Sequence, residues 1–192
     1  GYLNIIFRSF QLSFGATLLC LIFGFPVAYY ITLQPENRRN FYIYLVTIPF
    51  WTNLLIRTFA WIIILGRGGV IEAPLLAAGI IDDSLRMMYS DGAIAIGLTY
   101  SYLPLMVLPI YASLEKLDFR LLDAASDLYA NRFEIMAKVV IPLCKPGIIA
   151  GCLLVFIPCL GAFIAPNLLG GGKKLMLGSL VQFQFASARN WP

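Results

Sequence analysis

Four long apolar segments constrain this chain more than any other feature, because each is long enough to cross a membrane as a helix. Segments 12–33, 92–114 and 147–165 contain no charged residue, and segment 41–65 contains one, Arg57. An apolar helix of about 20 residues spans the hydrocarbon core of a bilayer. Of the 192 residues, 60% are hydrophobic and 12% are charged, whereas soluble domains average about half and about a quarter. These features predict an all-α polytopic transmembrane helical bundle.

Prolines and glycines interrupt most of the predicted spans. We expect a kink at Gly24 and Pro26 in the first span and a bend at Pro49 in the second. The reason is that proline removes a backbone donor and clashes with the preceding turn of a helix. Pro158 and Gly161 are expected to break the fourth span. Neighbouring helices in a membrane bundle tolerate such irregularities.

The connecting segments are shorter or more polar than the spans. Segment 66–91 contains charged residues and predicts short helices in an interfacial or re-entrant position, one of them between Pro74 and Gly79. Segment 170–192 is predicted to be a hydrophilic tail with room for one more short helix. Within this tail, the glycine- and lysine-rich stretch at 170–174 lacks the GxxxxGK[ST] spacing of a phosphate-binding loop, so no nucleotide site is expected there.

Residue usage excludes several classes of function. The chain has no histidine, which removes the commonest general base and the commonest metal ligand. Its four cysteines form no CxxC pair and are interpreted as small buried hydrophobic residues. The formal net charge is +4, without a basic patch interleaved with aromatic residues. We therefore expect no catalytic site, no metal site, no cofactor bound by this chain and no nucleic-acid partner.

The segment 116–146 is a charged island between the third and fourth apolar segments. Its sequence predicts two short amphipathic helices that lie outside the bilayer. In the first helix, Asp118 is placed to cap the N-terminus. Apolar residues then recur at helical spacing and are predicted to form one stripe. The stripe consists of Leu121, Leu122, Ala125, Leu128 and Tyr129.

The second helix of the island is predicted to begin at Asn131. Glu134 follows three positions later, so the two residues form an asparagine variant of the capping box, and Glu134 pairs with Lys138 one turn further on. Pro142 and Pro146 are expected to end this helix and to redirect the chain into the membrane. On composition alone two interpretations stay open: an ordinary interhelical loop with a solvated face, or a segment that holds a soluble partner.

The island resembles the EAA loop of ABC-importer permeases. It reads Asp-Ala-Ala at 123–125, three residues, Tyr129, nine residues, and Val-x-Ile-Pro at 139–142. The family pattern is Glu-Ala-Ala, three residues, Gly, nine residues and Ile-x-Leu-Pro. In that family the loop docks into a groove of the ATP-hydrolysing subunit and carries the power stroke to the membrane helices. The resemblance implies a cytoplasmic coupling loop over 116–146. Its candidate contact residues are Asp123, Ala124, Ala125, Tyr129, Ile141 and Pro142.

Two positions of the island depart from the family pattern. Asp123 keeps the charge of the usual glutamate on a shorter side chain. Tyr129 stands where the family has glycine, the residue that adopts a positive φ without steric cost. A tyrosine at this position weakens the expectation of a tight turn. The turn has the option of moving one residue, to Ala130 and Asn131, because asparagine tolerates the left-handed region.

Further segments resemble the membrane subunits of spermidine/putrescine ABC importers. The resemblance implies the type I ABC importer permease (MetI-like) fold, as a single transmembrane permease domain over 1–192. Members of the family have six spans, so one flanking span is expected beyond each end of this chain. The similar segments lie in the family's order along nearly the whole chain, at 24–30, 48–52, 56–61, 102–115, 146–151 and 166–173.

The resemblance also implies a location and a set of partners. We expect a multi-pass protein of the bacterial inner membrane, in contact with membrane lipid. Its expected partners are an ABC ATPase subunit, a second permease subunit and a periplasmic or lipoprotein substrate-binding protein. ATP and Mg would bind to the ATPase partner, so this chain is expected to be a translocation subunit and not an enzyme. The turn with Arg38 and Arg39 would face the cytoplasm, as the island does.

Arg57 and four aromatic residues are candidates for the translocation pathway. Arg57 lies within the second predicted span, where an unpaired charge costs roughly 2.5–3.5 kcal/mol. It is either a gate residue that faces water or a carboxylate, or a side chain that snorkels to the outer interface. Aromatic faces attract organic cations, although each aromatic residue is alternatively a packing or interfacial residue. The aromatic candidates are Trp51, Trp61, Tyr100 and Tyr102.

Acidic residues, which a path for a polyamine should offer, are absent from the four predicted spans. Glu72 and Asp91 are expected near the outer mouth at best. The sequence itself therefore leaves the solute open. The prediction is a permease subunit of a polyamine importer. The alternatives are an importer permease for another small solute, such as thiamine, ferric ion or an opine, and a non-energised channel or scaffold.

Overall fold

The computed structural model describes residues 2–66, 69–70, 72–73, 89–118, 120–171 and 176–188. Every regular element within these ranges is helical, as the all-α prediction requires. A π-helical turn, Phe183–Ala188, follows the last helix. The helices are α1 (Tyr2–Thr32), α2 (Glu36–Trp51), α3 (Leu54–Leu65), α4 (Asp91–Leu114), α5 (Arg120–Asp127), α6 (Arg132–Gly161), α7 (Ile164–Leu169) and α8 (Leu177–Gln182).

Three helices in the described part of the chain, α1, α4 and α6, are long and apolar enough to cross a membrane. The bent pair α2 and α3 passes the same test when the two helices are taken together. The third predicted span, 92–114, is confirmed by α4. The first predicted span is too short, because α1 begins at Tyr2 and continues without a break through Gly24 and Pro26.

The core is formed where α1, α4 and α6 pack against one another. Met106 of α4 is fully buried between two glycines of the neighbouring helices. A Cβ added to Gly24 would lie 3.1 Å from the Met106 Cγ, and a Cβ added to Gly151 would lie 2.8 Å from its Sδ. Small residues let helix backbones approach closely, so Gly24 and Gly151 set the spacing of α1 and α6 around α4.

The second predicted span, 41–65, is not a single helix. Helix α2 continues through Pro49, and α3 follows at an angle of 91°, so the bend predicted at Pro49 is wrong in position. Two side chains at the break satisfy backbone groups on either side of it. The Thr52 hydroxyl donates to the carbonyl oxygen of Pro49 at 2.7 Å, and Asn53 Oδ1 accepts from the N–H of Leu55 at 2.8 Å. The break therefore occurs where both helix ends are capped.

Pro142 and Pro146 do not end the second helix of the island, contrary to the prediction. Helix α6 continues through both residues from the island into the bundle. A π-helical turn, Met136–Val140, ends two residues before the first of these prolines, and the N–H of Ile141 closes it. This wider turn gives the ring of Pro142 space, and proline lacks the N–H that a regular turn would use.

The remaining predictions on the fold have mixed outcomes. Helix α6 continues through Pro158 and ends at Gly161, so only one of the two expected breaks of the fourth span is present. Helix α8 confirms the short helix expected in the tail. The short helix expected between Pro74 and Gly79 lies outside the described residues.

Candidate functional site

The first helix of the island is α5, and Asp118 caps it as predicted: its Oδ1 accepts from the N–H of Arg120 at 3.0 Å. The predicted apolar stripe is only partly buried. Leu122 packs against the core and Ala125 is half-buried. The other three members of the stripe are exposed: Leu121, Leu128 and Tyr129.

The turn after α5 is centred on Tyr129, whose φ is +58°. The N–H of Ala130 donates to the carbonyl of Ala125 at 3.1 Å, and the N–H of Tyr129 donates to that of Ser126 at 3.0 Å. These two bonds define a Schellman motif, which ends a helix with one residue in the left-handed region. Asn131 has a φ of −76°, so the turn has not moved to Ala130 and Asn131. Tyr129 itself adopts the conformation that glycine favours.

The second helix of the island begins with the predicted capping box. Asn131 Oδ1 accepts from the N–H of Glu134 at 2.9 Å, and the Glu134 carboxylate accepts from the N–H of Asn131 at 3.0 Å. Lys138 donates to the same carboxylate at 3.2 Å. The bond from the Asn131 backbone, with the nearby Lys138 charge, lowers the pKa of Glu134 below its ordinary value. The entry to α6 is thereby fixed relative to the turn.

An exposed apolar surface lies at and around this turn. Leu128 is 81% exposed, Tyr129 is 98% exposed and Phe133 is 89% exposed. We call these three residues the apolar tip. The desolvation of one such side chain contributes about 1.5–3 kcal/mol, so the apolar tip is a favourable contact surface for another protein.

The structure places the other predicted contact residues on the two helices that flank the apolar tip, and these helices pack against each other. Asp123 and Ala124 are exposed on α5, beside the half-buried Ala125. Ile141 and Pro142 are exposed on α6, beyond the π-helical turn. The six predicted residues thus belong to one helix-turn-helix unit, with Tyr129 in its turn.

Two of the predicted pathway residues contact each other. The rings of Trp61 and Tyr100 meet edge to face, with centroids 5.6 Å apart and an interplanar angle of 74°. They line a largely apolar groove of about 330 Å³ between α1, α3 and α4, together with Phe23 and Leu103. An aromatic pair in this arrangement offers both ring edges and faces to a ligand.

Arg57 and Tyr102 lie on α3 and α4. The Arg57 Nε and Nη1 are buried and have no hydrogen-bond partner among the described residues. Tyr102 lines a cavity of about 130 Å³ with Ser101 and Pro158. Trp51, the remaining candidate, is 86% exposed at the end of α2.

The two acidic residues expected near the outer mouth have different environments. Glu72 is buried, whereas Asp91 is exposed at the start of α4 and forms an ion pair with Arg8 of α1. Close by on α1, Ser9 accepts a hydrogen bond from the N–H of Leu177 at 2.8 Å. These contacts tie α1 to α4 and to α8 at the end of α4 opposite the island.

A polar cluster at the island end of α4 escaped the sequence interpretation. It joins the end of α1, the start of α2 and the end of α4, and consists of Thr32, Arg39, Tyr111 and Glu115. Only the four-residue spacing of Tyr111 and Glu115 on one helix could have indicated a contact. The pairing with Arg39 depends on how α2 lies against α4.

The family of the chain follows from comparison with known proteins. Residues 21–189 match the family described as binding-protein-dependent transport system inner membrane component. The chain therefore belongs to this family and is a multi-pass inner-membrane component of a transport system.

Particular relatives are similar over the full length of this chain. It is 42% identical over 191 residues to the spermidine/putrescine transport system permease protein PotB of Salmonella typhimurium (strain LT2) and of Escherichia coli (strain K12). The alignments cover 100% of this chain and 67% and 70% of these relatives. The inner membrane ABC transporter permease protein YdcU of Escherichia coli is 31% identical over 204 residues, which cover 98% of this chain and 64% of that protein.

A solved structure has the same fold. A chain of the bacterial alginate ABC transporter, in complex with alginate pentasaccharide-bound periplasmic protein, superimposes with a TM-score of 0.68 at 17% identity. The match covers 98% of this chain and 69% of that chain. The architecture is thus the ABC importer permease (MetI-like) fold that the sequence predicted.

Proposed function

We propose that this chain is the membrane-spanning permease subunit of an ATP-driven importer that moves polyamines, spermidine or putrescine, across the inner membrane. The observation that carries the proposal is the 42% identity to PotB proteins, which extends over the whole chain. Identity of this extent covers the bundle, the island and the tail together, so it supports a shared activity as well as a shared fold.

The island serves as the coupling loop that docks onto a cytoplasmic ABC ATPase. Three features support this role. The helix-turn-helix unit projects the apolar tip into solvent. Asp123 and Ala124 are exposed beside it. The capping box and the Schellman motif fix the shape of the unit before a partner binds, which reduces the entropy lost on docking. ATP and Mg bind to that partner in this proposal.

A second permease subunit and a substrate-binding protein complete the transporter. The family description itself refers to dependence on a binding protein. Trp51 and the outer faces of α2 and α3 are exposed in the single chain, as expected for surfaces that meet lipid or another membrane subunit.

Five residues are proposed to face the pathway. The Trp61–Tyr100 pair and Trp51 offer aromatic faces, which bind amine cations without requiring an acidic residue. Tyr102 lines the cavity of about 130 Å³, which Leu54 of α3 also lines, and Arg57, one turn after Leu54, is proposed to gate it. The positive charge of Arg57 repels a polyamine, so a gate rather than a resting site is the role consistent with its chemistry.

The proposal is tested with the full-length complex, reconstituted in vesicles with its ATPase and its binding protein. The measured quantity is ATP-driven uptake of labelled spermidine. Asp123→Lys is expected to reduce uptake about tenfold, equivalent to about 1.4 kcal/mol. Asp127→Lys is the matched control, because Asp127 is an exposed aspartate of the same helix outside the family pattern.

Three outcomes are informative. Uptake that requires ATP and falls only in Asp123→Lys supports both the solute and the coupling role. ATP hydrolysis stimulated by the binding protein without spermidine uptake would retain an importer and reject the polyamine. Failure of the complex to associate with any ATPase would reject the importer and favour a channel or scaffold.

A further inference from the structure

Arg39 connects three parts of the fold at the island end of the bundle. Its Nη2 donates to the carbonyl oxygen of Thr32, the last residue of α1, at 3.1 Å. Its Nη1 lies 3.5 Å from the Oε1 of Glu115, the residue that follows α4. The same Oε1 accepts a hydrogen bond from the Tyr111 hydroxyl at 2.8 Å. One guanidinium thus joins α2 to the ends of α1 and α4.

The cluster lies between the island and the helices that carry candidate pathway residues. Glu115 directly precedes the segment 116–146, so a displacement of the island acts on the end of α4 as well as on α6, which continues from the island into the bundle. Arg39 lies in the first turns of α2, which bends into α3. Helix α3 in turn carries Arg57 and Trp61. The cluster is therefore a polar connection between the island and the helices that carry the candidate pathway residues.

The surroundings of the cluster shield it in part. Helix α2 has no fully buried residue, and its packing against the core comes from the partly buried side chains of Tyr42, Ile43 and Val46. Tyr111 is 8% exposed, and the side chain of Arg39 is 21% exposed. The Glu115 side chain is 50% exposed, so the ion pair is only partly shielded and is expected to weaken as the salt concentration rises. The guanidinium also lies at the C-terminal end of α1, where the helix dipole favours a cation.

We propose that the Arg39–Glu115–Tyr111 cluster is the joint through which motion of the island reaches α2 and α3. Arg39 and Glu115 are positioning residues: they make α2 follow the end of α4. This inference rests on the proposed function, because it assigns a path for the coupling that the island provides. Lysine cannot replace Arg39 fully, since a single ammonium does not reach Thr32 and Glu115 in the fixed geometry of the guanidinium fork.

The test compares Arg39→Gln, Glu115→Gln and the double variant in the full reconstituted transporter. Both spermidine uptake and ATP hydrolysis are measured, so that solute moved per ATP is obtained. Each single variant is expected to lower this ratio about fivefold, within the usual range of coupling between two sites. The double variant is expected to equal the single variants, because either change breaks the same joint.

Controls separate a joint from a general structural role. Arg38→Gln is the matched control, since Arg38 is the exposed neighbour of Arg39. Tyr111→Phe removes only one hydroxyl and is expected to cause a smaller loss of coupling. Arg39→Lys is expected to recover part of the ratio. Assembly with the ATPase and basal ATP hydrolysis are expected to stay normal in every variant.

The inference would be overturned by additive losses in the double variant, or by single variants that behave like Arg38→Gln. A parallel fall of ATPase assembly and uptake would also overturn it, because it would indicate damaged folding instead of lost transmission. Absence of ATP-driven uptake in the unmodified complex would refute the proposed function and the inference together. Normal uptake in the unmodified complex with unaffected variants would refute the inference alone.

Discussion

Replacing Tyr129 by glycine tests whether the island carries backbone strain. Tyr129 has a φ of +58°, a region that costs a residue with a Cβ about 1–2 kcal/mol. Glycine removes this cost but adds about 0.5–1 kcal/mol of entropy to the unfolded chain. The net stabilisation of the turn is therefore expected to be about 0.5–1 kcal/mol. The Tyr129 side chain is 98% exposed, so its removal costs almost no packing within the chain.

Hydrogen exchange at the turn measures this stabilisation directly. The N–H of Ala130, bonded to the carbonyl of Ala125, is protected only while the Schellman motif is closed. A gain of about 0.5–1 kcal/mol slows its exchange about two- to fivefold. Tyr129→Ala is the control, because alanine removes the ring but keeps the Cβ and the strain. Equal exchange in the glycine and alanine variants would refute the strain argument.

Three further predictions concern the island and the core. Asn131→Ala removes the cap of α6 and is expected to cost about 1 kcal/mol, seen as faster exchange of the Glu134 amide; unchanged exchange would contradict the cap. Because the pKa of Glu134 is lowered on folding, its stabilisation is present above its ordinary pKa of 4.5 and is lost as the pH falls through the folded value. Glu134→Gln should abolish this acid dependence of exchange, and a dependence that persists would point to another group. Gly151→Ala places a methyl group 2.8 Å from the Met106 Sδ and is expected to destabilise the bundle by about 1–3 kcal/mol in thermal unfolding. Gly15→Ala, with nothing within 4 Å, should leave the midpoint unchanged or raise it, and equal effects at the two sites would refute the packing argument.

Local sequence signals predicted the local features of the fold well. The apolar segment 92–114 forms α4 as predicted. A long segment without charges is favourable as a membrane helix, because a helix satisfies its backbone hydrogen bonds internally. The capping box of Asn131 and Glu134 is present as predicted, since both of its bonds depend on residues three positions apart.

Apart from the first span, which begins ten residues earlier than predicted, the errors in the spans occurred where proline was taken to end, break or bend a helix. Helix α6 continues through Pro142 because a π-helical turn lies before it, and no sequence pattern signals such a turn. Helix α2 continues through Pro49 and stops where Thr52 and Asn53 cap the break. In both cases hydrogen bonds of neighbouring residues decided the outcome, and proline alone did not.

The sequence predicted which residues belong to the candidate site but not how they are arranged. The pattern of 123–142 identified the helix-turn-helix unit. It did not predict the positive φ of Tyr129, where two backbone hydrogen bonds of the turn offset the strain of placing a residue with a Cβ in the left-handed region. The cluster around Arg39 joins residues that are distant in sequence. Its partners follow from the packing of α2 against α4, which sequence spacing does not encode.

The continuity of α6 makes the second helix of the island and the apolar helix that follows it parts of one rod. Its 30 residues correspond to a length of about 45 Å at a rise of about 1.5 Å per residue. Each degree by which the island tilts such a rod about one end displaces the other end, at Gly161, by about 0.8 Å. The break that follows Gly161 lies at the edge of the cavity beside Tyr102. A rod of this length amplifies small tilts of the island into movements of ångströms at Gly161, and the π-helical turn Met136–Val140 is a point within it where bending would absorb such a tilt.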